Sequence, residues 1–185
     1  MELALCLPER VSMNLDLADI SEANFGLLPD AGCRCCLYWE QPDRDQWPES
    51  PSEREVLKRE WFHSVSGEFG GCGKLVSVGS NVVGYAQFSP PADLPCVVEY
   101  ACGPPDDSAV FIACLYLWEM RGRGIGSALL EAILADVRAR GIAAVETYAG
   151  KGSASNPSGP LPFWRKHGFS VVREEEDFAL VRRDL

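Results

Sequence analysis

No stretch of this sequence stays apolar for long. The longest uninterrupted run covers only Ala109 to Trp118, far short of the ~20 residues a membrane-spanning helix needs, so no membrane partner is expected. The first residues, Met1-Glu2-Leu3-Ala4-Leu5-Cys6-Leu7-Pro8, lack the basic region and full hydrophobic segment of a secretory leader. A soluble cytoplasmic protein is the expectation. Positive charge is also scarce: 17 Lys and Arg face 27 Asp and Glu, a net charge of −10. A nucleic-acid backbone is therefore not an expected partner, because such binding needs a basic face. Histidines are only His63 and His167, both expected on helix surfaces. No internal repeat or low-complexity stretch divides the chain, and 185 residues suit one domain with one sizeable core.

Cysteine is the exception, with eight residues, still far below the density of a disulfide scaffold. Cys33-x-x-Cys36 has the spacing of half a zinc site. A tetrahedral site would need two more ligands from Cys35, Cys72, Cys96, Cys102 or a histidine, and no second Cys-x-x-Cys exists. Reduced, partly buried thiols with no metal are the expectation. Zinc at Cys33 and Cys36, or redox chemistry, is the alternative. Cys114 lies inside an apolar strand and reads as core.

The most informative segment is Arg121-Gly122-Arg123-Gly124-Ile125-Gly126, between the apolar run Val110 to Trp118 and an amphipathic helical pattern over Ser127 to Arg140. Glycines let the backbone turn and approach a ligand closely. The free N–H groups of a helix start form an anion site at the positive end of the dipole. The loop is no P-loop, since no Gly-Lys-Ser/Thr closes it. A dinucleotide fingerprint fits poorly, because Ser127 stands where the third small residue should be Gly or Ala.

The pattern Arg-x-x-Gly-x-Gly, preceded by Leu115-Tyr116-Leu117, resembles the acyl-CoA signature of the GNAT acetyltransferase superfamily. The likeness continues through a second strand, Ile142 to Ala149, to Phe163-Trp164-Arg165-Lys166-His167-Gly168-Phe169, which is similar to the family's aromatic-x-x-x-Gly-Phe stretch. It implies that the loop amides hold the pyrophosphate of coenzyme A. The implied cofactor contacts are Leu115, Leu117, Arg121, Gly122, Arg123, Gly124, Ile125, Gly126, Ser127 and Asn156, with acetyl-CoA as acyl-donor co-substrate. Arg121, Arg123, Lys151, Arg165 and Lys166 gather in these segments and would offset the acidity of the remainder.

The patterning predicts a mixed α/β fold. Ser52-x-x-Glu55 reads as a capping box opening a helix that ends near Gly67, with Leu57 and Trp61 on one face. Lys74–Val78 and Val82–Phe88 flank Gly79-Ser80-Asn81 as an antiparallel hairpin. Leu130, Ile133, Leu134 and Val137 form one buried helical stripe, and Gly141 fits its C-cap. Strand, helix, strand in that order imply a right-handed crossover and a parallel pair. Phe169–Arg173 and Phe178–Val181 read as a final hairpin. Further strand-like stretches are Glu2–Leu7, Cys36–Trp39 and Val97–Tyr100, and Gly150 to Gly159 is a Gly/Ser-rich loop. The resemblance implies a single GNAT-like domain over 1–185: a central mixed sheet of about six to seven strands flanked by helices, with two splayed parallel strands admitting acyl-CoA. Residues 1–70 would form the variable, acceptor-side part and 108–185 the acyl-CoA core.

The implied reaction is direct transfer of an acetyl group to a primary amine of a small molecule or a protein; a homodimer is left open. One position departs from the family. Where its usual acid, a tyrosine in the last helix, would stand five residues before Phe169, this chain has Trp164, whose indole is a donor but no useful proton source. Trp164 reads as packing against Phe163 and Phe169. Tyr148, Tyr116 or a water could protonate the thiolate instead, or it could leave unassisted. Glu99 is the chosen base, with Glu146 as the other strand carboxylate, since burial would raise either toward neutrality; Glu119 reads as solvated. Leu37, Tyr38, Trp39, Trp47, Trp61 and Phe62 read as either a satellite core or an aromatic-walled acceptor site. A non-catalytic acyl-CoA-binding module and a Cys-rich metal or redox protein are the alternative functions.

Overall fold

A run of short strands, one long amphipathic helix and a glycine-punctuated loop has few ways to bury its apolar faces, and a sheet covered on both sides is one of them. The computed structural model describes residues 14–29, 33–152 and 158–185. Its elements are β1 (Leu15–Asp19), α1 (Pro51–Glu68), β2 (Gly73–Val78), β3 (Asn81–Ser89), β4 (Val110–Leu117), α2 (Ile125–Ala139), β5 (Ala144–Gly150), α3 (Leu161–Lys166), β6 (Ser170–Glu174) and β7 (Phe178–Asp184). The strands form one seven-stranded sheet in the order β1-β2-β3-β4-β5-β7-β6. Every neighbouring pair is antiparallel except β4 and β5.

Alternation along the strands feeds two cores. Val76, Val83, Phe88, Val110 and Ile112 point to one face, where they meet Ile125, Leu129, Ile133 and Val137 of α2 and Trp164 of α3. Leu75, Tyr85, Phe111 and Ala113 point to the other, against Phe62 and Val65 of α1. The buried stripe of α2 is the one its spacing predicts, and Gly141, at φ 74°, ends the helix. The Ile142 N–H bonds the Val137 carbonyl and the Gly141 N–H bonds that of Arg138, the paired bonds of a Schellman cap. The hairpin β2–β3 and the final hairpin β6–β7 also follow the sequence pattern. No helix among the described residues is long and apolar enough to cross a membrane.

Four expectations need correction or lie out of reach. Residues 36–39 are not a strand: Cys36 and Leu37 are irregular and Tyr38 and Trp39 lie in a turn, tied down by Gln41 N–H to Leu37 O and Cys96 N–H to Trp39 O. Val97–Tyr100 falls in a 3₁₀ turn over Pro95–Glu99, since Pro95 presets a helical φ and removes a ladder donor. The capping box does not form: Ser50 is the N-cap, with Pro51 at the first helical position, and Glu55 pairs with Arg59 at 2.9 Å and Arg34 at 3.1 Å. Glu2–Leu7 lies outside the described residues. Conversely β1 carried no sequence signal, because it is a short, mostly exposed edge strand holding two aspartates.

Candidate active site

The parallel pair at the centre of the sheet is joined at one end only. Val110 pairs with Val145 and Phe111 with Glu146, and the Thr147 hydroxyl donates to the Ile112 carbonyl at 2.7 Å. Beyond that point the register of β4 with β5 stops. A bulge in β4 coincides with the parting: Gln87 lies opposite Cys114 and Phe88 opposite Ile112, leaving Ala113 unpaired. Bulges bend a strand and re-aim its side chains. Here Ala113 and Cys114 face the same core, so Leu115 and Leu117 turn toward α2 while Tyr116 turns toward the α1 side.

The loop after β4 coils tightly. Met120, Gly122 and Gly124 hold φ values of 58°, 79° and 83°, a region that glycine enters freely and a bulky residue such as Met120 rarely does. Gly124 is the N-cap of α2 and no side chain caps it, so the first helical amides have no partner within the helix. Arg121 donates Nε–H to the Leu117 carbonyl at 3.1 Å, placing its guanidinium 5.8 Å from the centre of the Tyr116 ring.

Between this loop, β4 and α3 lies a groove of about 390 Å³, lined by Leu115, Leu117, Arg121, Gly122, Gly124, Gly126, Ser127, Phe163, Lys166, Tyr116 and the stretch Ser158–Pro160. Gly126 also lines it, and a methyl group there would make ordinary van der Waals contact, 3.5 Å from Leu117 and 3.7 Å from Phe163. Ser127 Oγ lies 3.0 Å from His167 Nε2, tying α2 to α3, so His167 is half-buried rather than a free helix-surface residue. The groove combines uncapped amides and the Arg121 and Lys166 cations, suited to phosphates, with the apolar side chains of Leu115, Leu117 and Phe163.

Seven of the expected cofactor residues therefore line one groove: Leu115, Leu117, Arg121, Gly122, Gly124, Gly126 and Ser127. Ile125 has a fully buried side chain in the core and brings only its backbone to the helix start. Arg123 is exposed and does not line the groove. Asn156 lies outside the described residues. Ser158, Gly159 and Pro160 were missed; their signal was the Gly/Ser-rich loop, which reads as flexible until the Gly150–Pro160 bridge sets it against β5.

The expected catalytic residues are not brought to the groove. Glu99 is an exposed residue whose Oε2 accepts from Arg44 at 3.0 Å. Tyr148 is 1% exposed; burial pushes its hydroxyl well up from the ordinary tyrosine range, and that hydroxyl donates to the Val97 carbonyl at 2.7 Å. Glu146 is buried, pairs with Arg182 at 3.1 Å and accepts the Asp106 N–H, and Glu119 is exposed. Trp164 is fully buried, its ring 5.2 Å from that of Phe163 and 4.9 Å from that of Phe169 in edge-to-face contacts. Its indole N–H has no hydrogen-bond partner among the described residues and lies beside Gly159.

A second cavity, of about 400 Å³, opens on the α1 side of β4 and is lined by Cys33, Cys36, Tyr38, Trp39, Tyr85, Tyr100, Cys114 and Tyr116. Tyr116 thus lines both cavities. The aromatic concentration of the sequence divides here: Tyr38 and Trp39 face the cavity, whereas Trp61 and Phe62 pack α1 onto the sheet. Burial raises the Cys33 thiol above its usual range and pushes Cys114 up to about 12, so both are neutral thiols near pH 7. Cys33, Cys36, Cys72, Cys96, Cys102 and Cys114 are free thiols. Among the described residues no three His, Cys, Asp or Glu side chains converge as a metal site.

Residues 35–169 match the model of the acetyltransferase (GNAT) family. The fold is similar to that of the PaiA N-acetyltransferase of Thermoplasma acidophilum in complex with coenzyme A, at a TM-score of 0.57 and 15% identity over 94% of this chain and 100% of that one. It is likewise similar to Arabidopsis thaliana Naa50 in complex with the bisubstrate analogue CoA-Ac-MVNAL (TM-score 0.55, 16% identity, 92% of this chain and 99% of that one). A ribosomal-protein-alanine N-acetyltransferase from Brucella melitensis is similar at a TM-score of 0.58 and 18% identity, over 91% and 99% of the two chains. No curated protein sequence matches this chain at a significant level.

Proposed function

Because the chain belongs to the GNAT acetyltransferase family, we propose that it transfers an acetyl group from acetyl-CoA to a primary amine of a small molecule or a protein, by direct attack within a ternary complex. The observation that carries this reading is the pair of cavities sharing Tyr116 as a lining residue: one suits a phosphorylated thioester, the other an uncharged acceptor body, and the reacting atoms belong beside Tyr116. The coenzyme A in the Thermoplasma relative and the CoA-linked peptide in the Arabidopsis one support the choice of donor and of amine chemistry.

In this reading the amides at the start of α2, with Arg121 and Lys166, hold the pyrophosphate, and Leu115, Leu117 and Phe163 flank the pantetheine. The amine nitrogen attacks the thioester carbonyl; the C–N bond forms, the C–S bond breaks, and the amine's surplus proton passes to water. Tyr116 is half-exposed on the strand between the cavities and gives its phenolic proton to the departing thiolate, regaining one from solvent. Trp164 cannot play that part, having no acidic proton. That lack also favours a second reading, a module that binds acyl-CoA without turnover.

Calorimetric titration of acetyl-CoA into the wild type and a Gly124→Glu variant tests the cofactor site. Gly124 needs a left-handed φ, and a carboxylate at the helix start would oppose the phosphates. Binding in the micromolar range that the variant loses is expected. No binding by the wild type overturns the acyltransferase reading, and binding without turnover of any amine leaves the non-catalytic module.

A further inference from the structure

The aromatic cavity narrows the acceptor. Building on the acyltransferase reading, we propose that the acceptor is an arylalkyl primary amine, held by its ring with the nitrogen directed to Tyr116, and that amines carrying a second charge are rejected. Three features carry this.

First, every described side chain lining the cavity is a Tyr, Trp or Cys, so among the described residues no Asp, Glu, Lys or Arg lines it as a counter-charge. The two acidic side chains next to wall residues in sequence are each paired with a cation, although the buried Glu40 Oε2 has no hydrogen-bond partner among the described residues. Glu40, following Trp39, accepts from Lys58 at 2.5 Å and from Gln87 at 2.6 Å; Glu99, preceding Tyr100, is paired with Arg44 at 3.0 Å. A second ammonium or a carboxylate on the acceptor would be buried without a partner, which is strongly unfavourable.

Second, the wall is built for flat rings. Trp39 and Tyr100 stack at 5.6 Å with 16° between planes, and Tyr100 stacks on Tyr148 at 4.2 Å and 13°. The Tyr38 and Tyr100 hydroxyls are 3.1 Å apart and hold each other. A substrate ring in offset or edge-to-face contact with such an array gains over an aliphatic chain of similar area. The volume of about 400 Å³ sits at the lower end for ligand sites and suits one ring system and a short linker.

Third, the chemistry fits a site in which, among the described residues, no carboxylate lines either cavity. Burial without a counter-charge disfavours the ammonium, so the cavity takes up the nucleophile as the free amine, and the net charge of −10 draws the cationic pool of such amines toward the surface.

The test compares phenethylamine and tryptamine with spermidine and a lysine-bearing peptide as acceptors at saturating acetyl-CoA. A kcat/KM preference of roughly 100-fold or more for the arylalkyl amines is expected. A Cys36→Asp variant, which adds a carboxylate to the wall, should raise KM for phenethylamine at least ~10-fold and narrow the gap to spermidine, while its calorimetric affinity for acetyl-CoA stays at the wild-type value and reports an intact fold. Spermidine or the peptide matching or exceeding the arylalkyl amines overturns the proposal. Phenethylamine binding to the wild type is also followed by ligand-observed NMR, with and without coenzyme A. Absence of binding in both overturns the proposal even where acetyl-CoA binds, whereas failure of acetyl-CoA to bind overturns the acyltransferase reading instead.

Discussion

Tyr116 shows how one side chain acquires a role from its surroundings. Its neighbours Leu115 and Leu117 follow from the resemblance because their part is played by strand position, while Tyr116 depends on the unpaired Ala113, three residues earlier, turning it to the α1 side. That shift arises from the pairing with β3, so it has no local signature. Replacing Tyr116 with Phe removes the acid and keeps the ring; kcat should fall about 10²-fold with acetyl-CoA affinity unchanged by calorimetry. A kcat within about twofold of wild type would mean that the thiolate leaves unassisted. Glu99→Gln is the companion measurement. Its carboxylate is exposed and lies in neither cavity, and an exposed ion pair contributes at most about 1 kcal/mol, so kcat/KM should stay within about twofold. A loss of 10²-fold or more would restore Glu99 as the base. The sequence suggested Glu99 because it lay in a strand-like stretch; Pro95 bends that stretch into a 3₁₀ turn and turns the carboxylate out.

At the scale of elements, legibility follows how local the information is. The glycine loop and α2 were legible almost to the residue, because positive-φ glycines and a 3.6-residue apolar period are written in contiguous sequence. Helix α1 was legible as a helix but not in orientation, since its buried face is Lys58, Phe62 and Val65, with a lysine where a surface residue reads naturally. Lys58 is 2% exposed, and its ammonium donates to Glu40 at 2.5 Å and to Gln87 at 2.7 Å. Burial works against the charge, but the Glu40 carboxylate outweighs it and the ammonium titrates above the ordinary 10.5. Lys58→Ala leaves Glu40 buried without its counter-charge and should cost about 3–5 kcal/mol in a urea melt at pH 7, with Lys58→Ala/Glu40→Gln recovering part of the loss. The folded state holds the proton more tightly than the unfolded one, so this contribution is fully present below pH 10.5 and falls as pH rises through the higher folded value. The stability difference between wild type and Lys58→Ala should therefore be flat from pH 7 to about 10 and shrink above it. A difference that shrinks already at pH 8 would show that Lys58 titrates low and that the pair does not hold the charge.

Over the whole molecule, the sheet is two sub-sheets, β1-β2-β3-β4 and β5-β7-β6, whose backbones pair at Val110–Val145 and Phe111–Glu146. Six of the seven strands and the parallel crossover were legible from the sequence pattern; the edge strand β1 was not. The insertion of β7 between β5 and β6 was not, because nothing in a hairpin's own sequence says which strand faces the neighbour. This architecture gives the proposed cofactor a structural consequence. A molecule seated in the groove touches β4, the loop and α2 on one side, and Ser158–Pro160 and Phe163, beyond β5, on the other, so it spans the seam that the backbone leaves open. At about 100 times its Kd, acetyl-CoA stabilises the native state by ~2.7 kcal/mol, which for a chain of this size raises Tm by roughly 5–11 °C. Bridging predicts more than the size of that shift. In hydrogen exchange, protection gained on binding should concentrate in Ile112–Leu117 and in Thr147–Gly150, on both lips of the gap, while β1 and α1 change little. Protection confined to the β4 lip, with β5 unchanged, would show that the ligand rests on one sub-sheet and that the seam is held by the cores on either face of the sheet.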